Sequence, residues 1–218
     1  MKVLVIGRDG GIAGAVAARV RDAGGTVVLV GRNQDEHVDL TDESSVAALA
    51  ERVGSVDHVV STASARARGT VADLDRDAVR ASFDVKVIGP ILLARHFAPR
   101  MPRDGSFVFF SGASARKVMP GMLAVGATNA AVDAVTRSLA VELAPIRVNA
   151  ISPGTIDTGA YDGLGAEKKA ALFAAREATS PAGRVGQADE IADAVLFALT
   201  NSFMTGISLG VDGGEVLV

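Results

Sequence analysis

Cysteine is absent from this 218-residue chain, which excludes disulfides, thiol nucleophiles and thiolate metal sites together. Histidine is scarce. His37, His58 and His96 share no metal-ligand spacing, and no His-Glu-x-x-His occurs. No metal site is expected, and each histidine reads as a partly exposed surface or strand-end residue. Positive charge is not in excess: the net charge is −3, which gives no electrostatic case for nucleic acid or an anionic membrane. No apolar run reaches the roughly 20 residues needed to cross a bilayer. Met1-Lys-Val-Leu-Val-Ile is apolar but turns glycine-rich at Gly7, too short for a signal peptide. A cytoplasmic protein is expected.

Apolar residues are plentiful, at 49% against 22% charged, the balance of a buried α/β sheet in one domain. Strand-like runs fall at 2–6, 26–30, 56–60, 106–110, 147–151 and 207–211. Helix-length amphipathic stretches fall at 12–23, 43–52, 76–98, 126–143, 166–175 and 189–200. Such alternation predicts an α/β fold, a parallel sheet covered by helices on both faces. Thr41 or Asp42 suits the start of the second helix, and Asp189 with Glu190 places acid at the positive end of the last. Only Gly31 to His37 separates the second strand from Val38-Asp39-Leu40, which reads as the end of a short third strand. A parallel crossover normally needs a dozen or more residues. The crossover helix is missing, so that sheet edge is expected to be thinly covered.

Gly7-Arg8-Asp9-Gly10-Gly11-Ile12-Ala13-Gly14 follows a strand and opens a helix. Glycines there permit a tight turn and let backbone N–H groups approach a pyrophosphate at the helix's positive end. Alone, the motif also fits an ordinary strand-to-helix turn.

Further elements carry more weight because they occur in order. Pro181-Ala-Gly-Arg-Val-Gly, Asp189-Glu-Ile-Ala-Asp-Ala-Val and Thr205-Gly-Ile-Ser-Leu-Gly-Val-Asp-Gly-Gly214 resemble the short-chain dehydrogenase/reductase family. The resemblance covers nearly the whole chain and implies a single-domain Rossmann fold, doubly wound, with a lid at about 156–180. It also implies a bound dinucleotide. Gly7, Arg8, Asp9, Gly11 and Ile12 would then surround the pyrophosphate, with Ala13 in place of the motif's third glycine. Asp39-Leu40 resembles the family's adenine contact. Thr62, Ala63 and Ser64 lie in Ser61-Thr-Ala-Ser64, where the family has Asn-Asn-Ala-Gly. Pro153, Gly154, Ile156 and Thr158 match the turn that holds the nicotinamide amide.

Cofactor choice rests on charge. An acid at the end of the second strand would bind the ribose of NAD and repel a 2′-phosphate. Gly31 stands there, followed by Arg32, whose guanidinium suits a phosphate. Arg8 adds positive charge and Asp9 opposes it. NADP is expected, with NAD possible; Arg32 as a solvated loop residue stays open.

Catalysis is less orthodox. The resemblance implies a tyrosine that donates a proton, a lysine four residues on, a carbonyl-polarising serine and an asparagine on an earlier helix. Here those positions read Val125, Asn129, Gly112 and Lys86, with Ser111 and Ser114 beside the third. One helix has gained a lysine for an asparagine, the other an asparagine for a lysine. On this reading Lys86 supplies charge and a proton, Asn129 bonds the ribose, and Ser111 completes the catalytic set. Lys86 as a helix-surface or interface lysine stays open. Short bacterial members of the family that lack the usual residues show a similar pattern. Tyr161, the only tyrosine, reads as a relocated acid or as a rim contact in the lid. Arg116 and Lys117 read as solvent-facing loop charges or as attractors of an anion.

The expected activity is NADP-dependent oxidation or reduction of a small carbonyl/alcohol substrate. A dinucleotide-binding pseudoenzyme and a non-redox biosynthetic enzyme are the alternatives. The helices at 76–98 and 126–143 are apolar over more than one face, and the resemblance implies that they pair in a homodimer or homotetramer.

Overall fold

A computed structural model describes residues 1–32 and 36–218. Six parallel strands form the sheet: β1 (Lys2–Ile6), β2 (Thr26–Val30), β3 (His58–Ser61), β4 (Ser106–Phe110), β5 (Arg147–Pro153) and β8 (Ser208–Val211), in spatial order β2-β1-β3-β4-β5-β8. The chain builds outward from β1 in both directions, which is the doubly wound arrangement. Two two-residue strands, β6 (Ile156–Asp157) and β7 (Gly186–Gln187), pair separately and fasten the segment between them.

Alternation along the strands divides the core. Leu4, Ile6, Val59, Phe107, Phe109 and Val148 face one side, where they meet α2 (Glu43–Val53), α4 (Gly89–Phe97) and α5 (Leu123–Glu142). Val3, Val5, Val60, Val108 and Ile151 face the other, against α1 (Gly11–Asp22) and α7 (Ala188–Thr200). Residues two apart share a face of a strand, so a sheet buried on both faces needs apolar residues at every position. The six buried residues that open β5 depart from that demand at Arg147, Asn149 and Ser152. The Arg147 guanidinium donates to the carbonyls of Ala198 and Leu199, acceptors that the end of α7 leaves open, and to that of Met204 beyond the helix, at 2.7–3.1 Å. At the other helix ends, Asp42 accepts from the Ser44 N–H, Asp75 accepts from the Ala78 N–H at the start of α3 (Arg76–Phe83), and Glu190 reaches back to the Gln187 N–H.

Expectations at residues 38–40 and 76–98 need correction. Residues 38–40 form no strand; only Gly31 bridges His37 beyond β2, and Val38 and Leu40 instead bury their side chains in the core. Without a crossover helix the chain cannot return to add a ladder, so it drops directly into α2. The stretch 76–98 is also not one helix. It divides at Asp84–Ile88, a π-helical turn, before α4 resumes. Pro90 explains the break: it has no N–H for the Lys86 carbonyl four residues back, so the backbone widens there.

His58 is buried rather than partly exposed, its ring nitrogen 2.8 Å from the Ser106 hydroxyl, and burial pushes its pKa down to about 4. Its unfolded-state pKa is higher, so the unfolded chain takes up the proton first as pH falls. Stability held at neutral pH is therefore lost between about pH 6.5 and about pH 4. Urea unfolding across that window should show a decline on the order of 2–3 kcal/mol that His58→Asn lacks.

Candidate functional site

The carboxyl ends of β1, β3, β4 and β5 open into a cavity of about 600 Å³. In an open parallel sheet this is where ligands bind, beside the point at which strand order reverses. Ile12, Thr62, Ser64, Pro153, Gly154, Ile156 and Thr158 line it together with Lys86, Ser111 and Asn129. Two groups of residues named from separate motifs thus share one space.

The floor is a hydrogen-bonded cluster. The π-helical turn places Lys86 inward, 7% exposed. Its ammonium donates to the Ser111 carbonyl at 3.2 Å and to the Asn129 side-chain oxygen. Asn129 Nδ2 donates in turn to the Ser114 hydroxyl at 2.7 Å, and Ser111 Oγ donates to the Asn129 carbonyl at 3.0 Å. Burial pushes the Lys86 pKa down to about 7; the like charge of Arg66 pushes the same way and Asp133 opposes it. One Asp133 side-chain oxygen is buried without a partner, one turn along α5 from Asn129. An ammonium carries three N–H donors. Two serve the protein, which leaves the third for a ligand.

Ser111 lines the cavity, and its hydroxyl also ties the end of β4 to α5 through the Asn129 carbonyl. Ser114 is different: it accepts from Asn129, lines the cavity and keeps its own O–H to donate.

The glycine turn tests whether a dinucleotide fits. A Cβ on Gly7 would fall 2.2 Å from Thr62 Oγ1, and one on Gly11, at φ +51°, would fall 3.0 Å from the Thr158 carbonyl. Bare backbone is required at both. No side chain caps α1 and no acid occupies its first turn, so its positive end faces the cavity side without an internal anion. The residues present suit a pyrophosphate.

Comparison with known proteins identifies the family. The protein-family description "Enoyl-(Acyl carrier protein) reductase" matches residues 6–215. This chain belongs to the short-chain dehydrogenase/reductase family. Cis-4-hydroxycyclohexanecarboxylate dehydrogenase of Sinomonas cyclohexanicum is 35% identical, over 99% of this chain and 87% of its own length. The inactive 2-(S)-hydroxypropyl-CoM dehydrogenase 2 of Xanthobacter autotrophicus is 34% identical over 100% of this chain and 96% of its own. A crystal structure of a small-chain dehydrogenase in complex with NADPH shares 38% identity at a TM-score of 0.95, covering 100% of this chain and 99% of that one. The doubly wound sheet is accordingly the Rossmann fold of short-chain dehydrogenases.

Other named residues of this short-chain dehydrogenase/reductase lie outside the cavity lining. Arg8 is exposed, with its guanidinium near Gly159, and Asp9 is exposed in the turn. Arg32 is exposed and Ala63 half-buried. Asp39 accepts from the Thr41 N–H and hydroxyl at 2.9 and 2.8 Å, bonds that hold its carboxyl below the usual range. The Leu40 side chain belongs to the core against Gly89, which leaves only its backbone for a ligand. Arg116 donates to Ser152 Oγ at 2.8 Å and Lys117 to the Glu215 carbonyl at 2.9 Å, so both bind neighbouring chain instead of standing free in solvent.

Tyr161, Leu172 and Arg176 line the cavity from the segment over it. Lys169 ties that segment to Asp157 and Asp162 at 2.9 and 2.8 Å, and Tyr161 meets Phe173 edge-on. The helix α6 (Ala166–Thr179) buries none of its residues. Three participants escaped the sequence reading: Arg66, Arg68 and Asp133. Asp133 alone had a signal, its four-residue spacing from Asn129 on one helix face.

Proposed function

We propose that this chain is an NADP-dependent oxidoreductase acting on a small carbonyl/alcohol substrate through a non-standard active site. One observation carries the reading: a buried lysine with a near-neutral pKa, tied to Asn129 and Ser111 on the floor of the cavity. A proton donor works best when its pKa lies near the working pH. The relative solved with NADPH supports the choice of NADP.

In this reading Gly7, Arg8, Asp9, Gly11 and Ile12 hold the pyrophosphate, and Arg32 binds the 2′-phosphate. Backbone at Asp39 and Leu40 meets the adenine, with Thr62, Ala63 and Ser64 beside it. Asn129 bonds the nicotinamide ribose beside the Lys86 charge, and Pro153, Gly154, Ile156 and Thr158 hold the carboxamide. When bound, the nicotinamide supplies or accepts the hydride. Lys86 Nζ donates the proton at the carbonyl oxygen, and the Ser114 hydroxyl gives that oxygen a second hydrogen bond. Val125, 5% exposed, sits where the family's tyrosine is implied and leaves apolar surface beside Lys86. Residues 156–180 close over the substrate, Tyr161 forming part of the rim. No helix among the described residues is long and apolar enough to cross a membrane; the protein works in the cytoplasm as a homodimer or homotetramer.

The second reading, a dinucleotide-binding protein without turnover, is favoured by the relative named as inactive. A panel of aldehydes and ketones mixed with NADPH, followed by absorbance, separates the two. Consumption of NADPH with matching alcohol formation supports the enzyme. A raised melting temperature with NADPH and no consumption across the panel supports the binding protein.

A further inference from the structure

The cavity also carries cations for which the proposed chemistry has no use. Arg66 and Arg68 line it, and among the described residues neither makes an ion pair or a hydrogen bond. The third arginine, Arg176, is already answered by Glu215 at 3.6 Å. Glu215 in turn accepts from the Thr155 N–H and hydroxyl, so the one acid in the described lining is spent. Local charge in the cavity is therefore strongly positive although the whole chain carries −3.

The two arginines are neighbours on one loop whose backbone is held on both sides. Ala67 between them is buried, 3% exposed, which turns its neighbours outward together. Ser82 Oγ holds the Ala65 carbonyl at 2.7 Å, and the Gly69 N–H holds the Gly121 carbonyl at 3.0 Å. These bonds set the segment against Gly121, between the lining residues Met119 and Met122. Guanidinium forks match carboxylates in two-point geometry, and an apolar wall with cationic side chains focuses the field on an anion.

We propose that Arg66 and Arg68 bind a compact anionic group of the substrate, which is a carbonyl or carbinol compound with an apolar body and a carboxylate-like end. The inference rests on the oxidoreductase reading and deepens it. The carbonyl lies at Lys86, the body against Met119, Met122 and Leu172, and the anion at the arginines.

The test uses protein saturated with NADP⁺, which has no hydride to give to a ketone. Calorimetric titration compares short straight-chain keto acids of graded length, levulinate among them, with their methyl esters. Charge-assisted bonds lost in the ester predict acids that bind about 10- to 100-fold tighter. The Arg66→Ser/Arg68→Ser double variant should lose that preference while its NADP⁺ affinity stays unchanged. Equal binding of acid and ester overturns the proposal. So does a preference that survives in the double variant, or a loss confined to NADP⁺ affinity, which would assign the arginines to the dinucleotide. Failure to take up NADP⁺ in the wild type removes the oxidoreductase reading alone; the acid-to-ester comparison on the unliganded protein then still decides the anion site.

Discussion

Lys86→Met should lower the rate constant for carbonyl reduction by about 10²- to 10⁴-fold, the range a positioned proton donor supplies. The shape of the pH profile should change as well. Reduction needs the ammonium, so wild-type kcat falls as pH rises through about 7, the pKa that burial and Arg66 set for Lys86. Oxidation needs the free amine and rises over the same interval. The variant should show a residual rate flat in that region, because binding and orientation still contribute without a proton donor. Stopped-flow absorbance across the pH range gives both readouts.

Stability carries an independent signature of the same group. The unfolded lysine keeps its proton to about pH 10.4 and the folded one only to about 7. Between those values the unfolded chain binds more protons, so stability rises with pH through that window. Below it both states are protonated and the cost of the buried charge is present in full. Lys86→Met should remove the slope. Urea midpoints compared across this window would show no difference between the two proteins if Lys86 were solvated.

The second large effect concerns cofactor choice. Arg32→Glu should weaken NADPH binding by about 10- to 100-fold and leave NADH binding little changed, because one charge-assisted bond to a 2′-phosphate becomes a repulsion. Arg32 is exposed and already attracts Asp39. Its replacement therefore disturbs local charge without opening the core. Equal losses for both dinucleotides would mean that Arg32 does not read the phosphate.

How much of this was legible beforehand differs by element. The strands that position the cavity each carry a run of apolar residues, a local pattern that marks where they lie, although His58, Ser106, Arg147 and Asn149 are buried among them. The glycine turn is equally local, since a Cβ at Gly7 has no room beside Thr62. The π-helical turn at Lys86 was less plain. Gly89-Pro90 marks it, yet the apolar residues on either side read as one continuous helix. Lys86 and Asn129 were paired by their exchanged positions, but the bond between them spans 43 residues and only the fold brings it about. Ser111 was legible as a site residue and not as a tether, because the direction of its proton depends on where the Asn129 carbonyl lies. Arg66 and Arg68 sit in a loop with no periodicity, so nothing local distinguished them from solvated charges until Ala67 was seen to be buried between them. The missing third strand shows the limit of reading β-propensity alone: Val38 and Leu40 are buried as a strand's residues would be, but by the core rather than by a ladder.

Everything depends on a dinucleotide pocket whose proton donor is Lys86. Calorimetric titration of the wild-type chain with NADPH and with NADH addresses the pocket itself. The account predicts one saturable site per chain, tighter for NADPH. Heats indistinguishable from dilution with both dinucleotides would contradict it and leave a Rossmann fold whose cavity serves some other ligand.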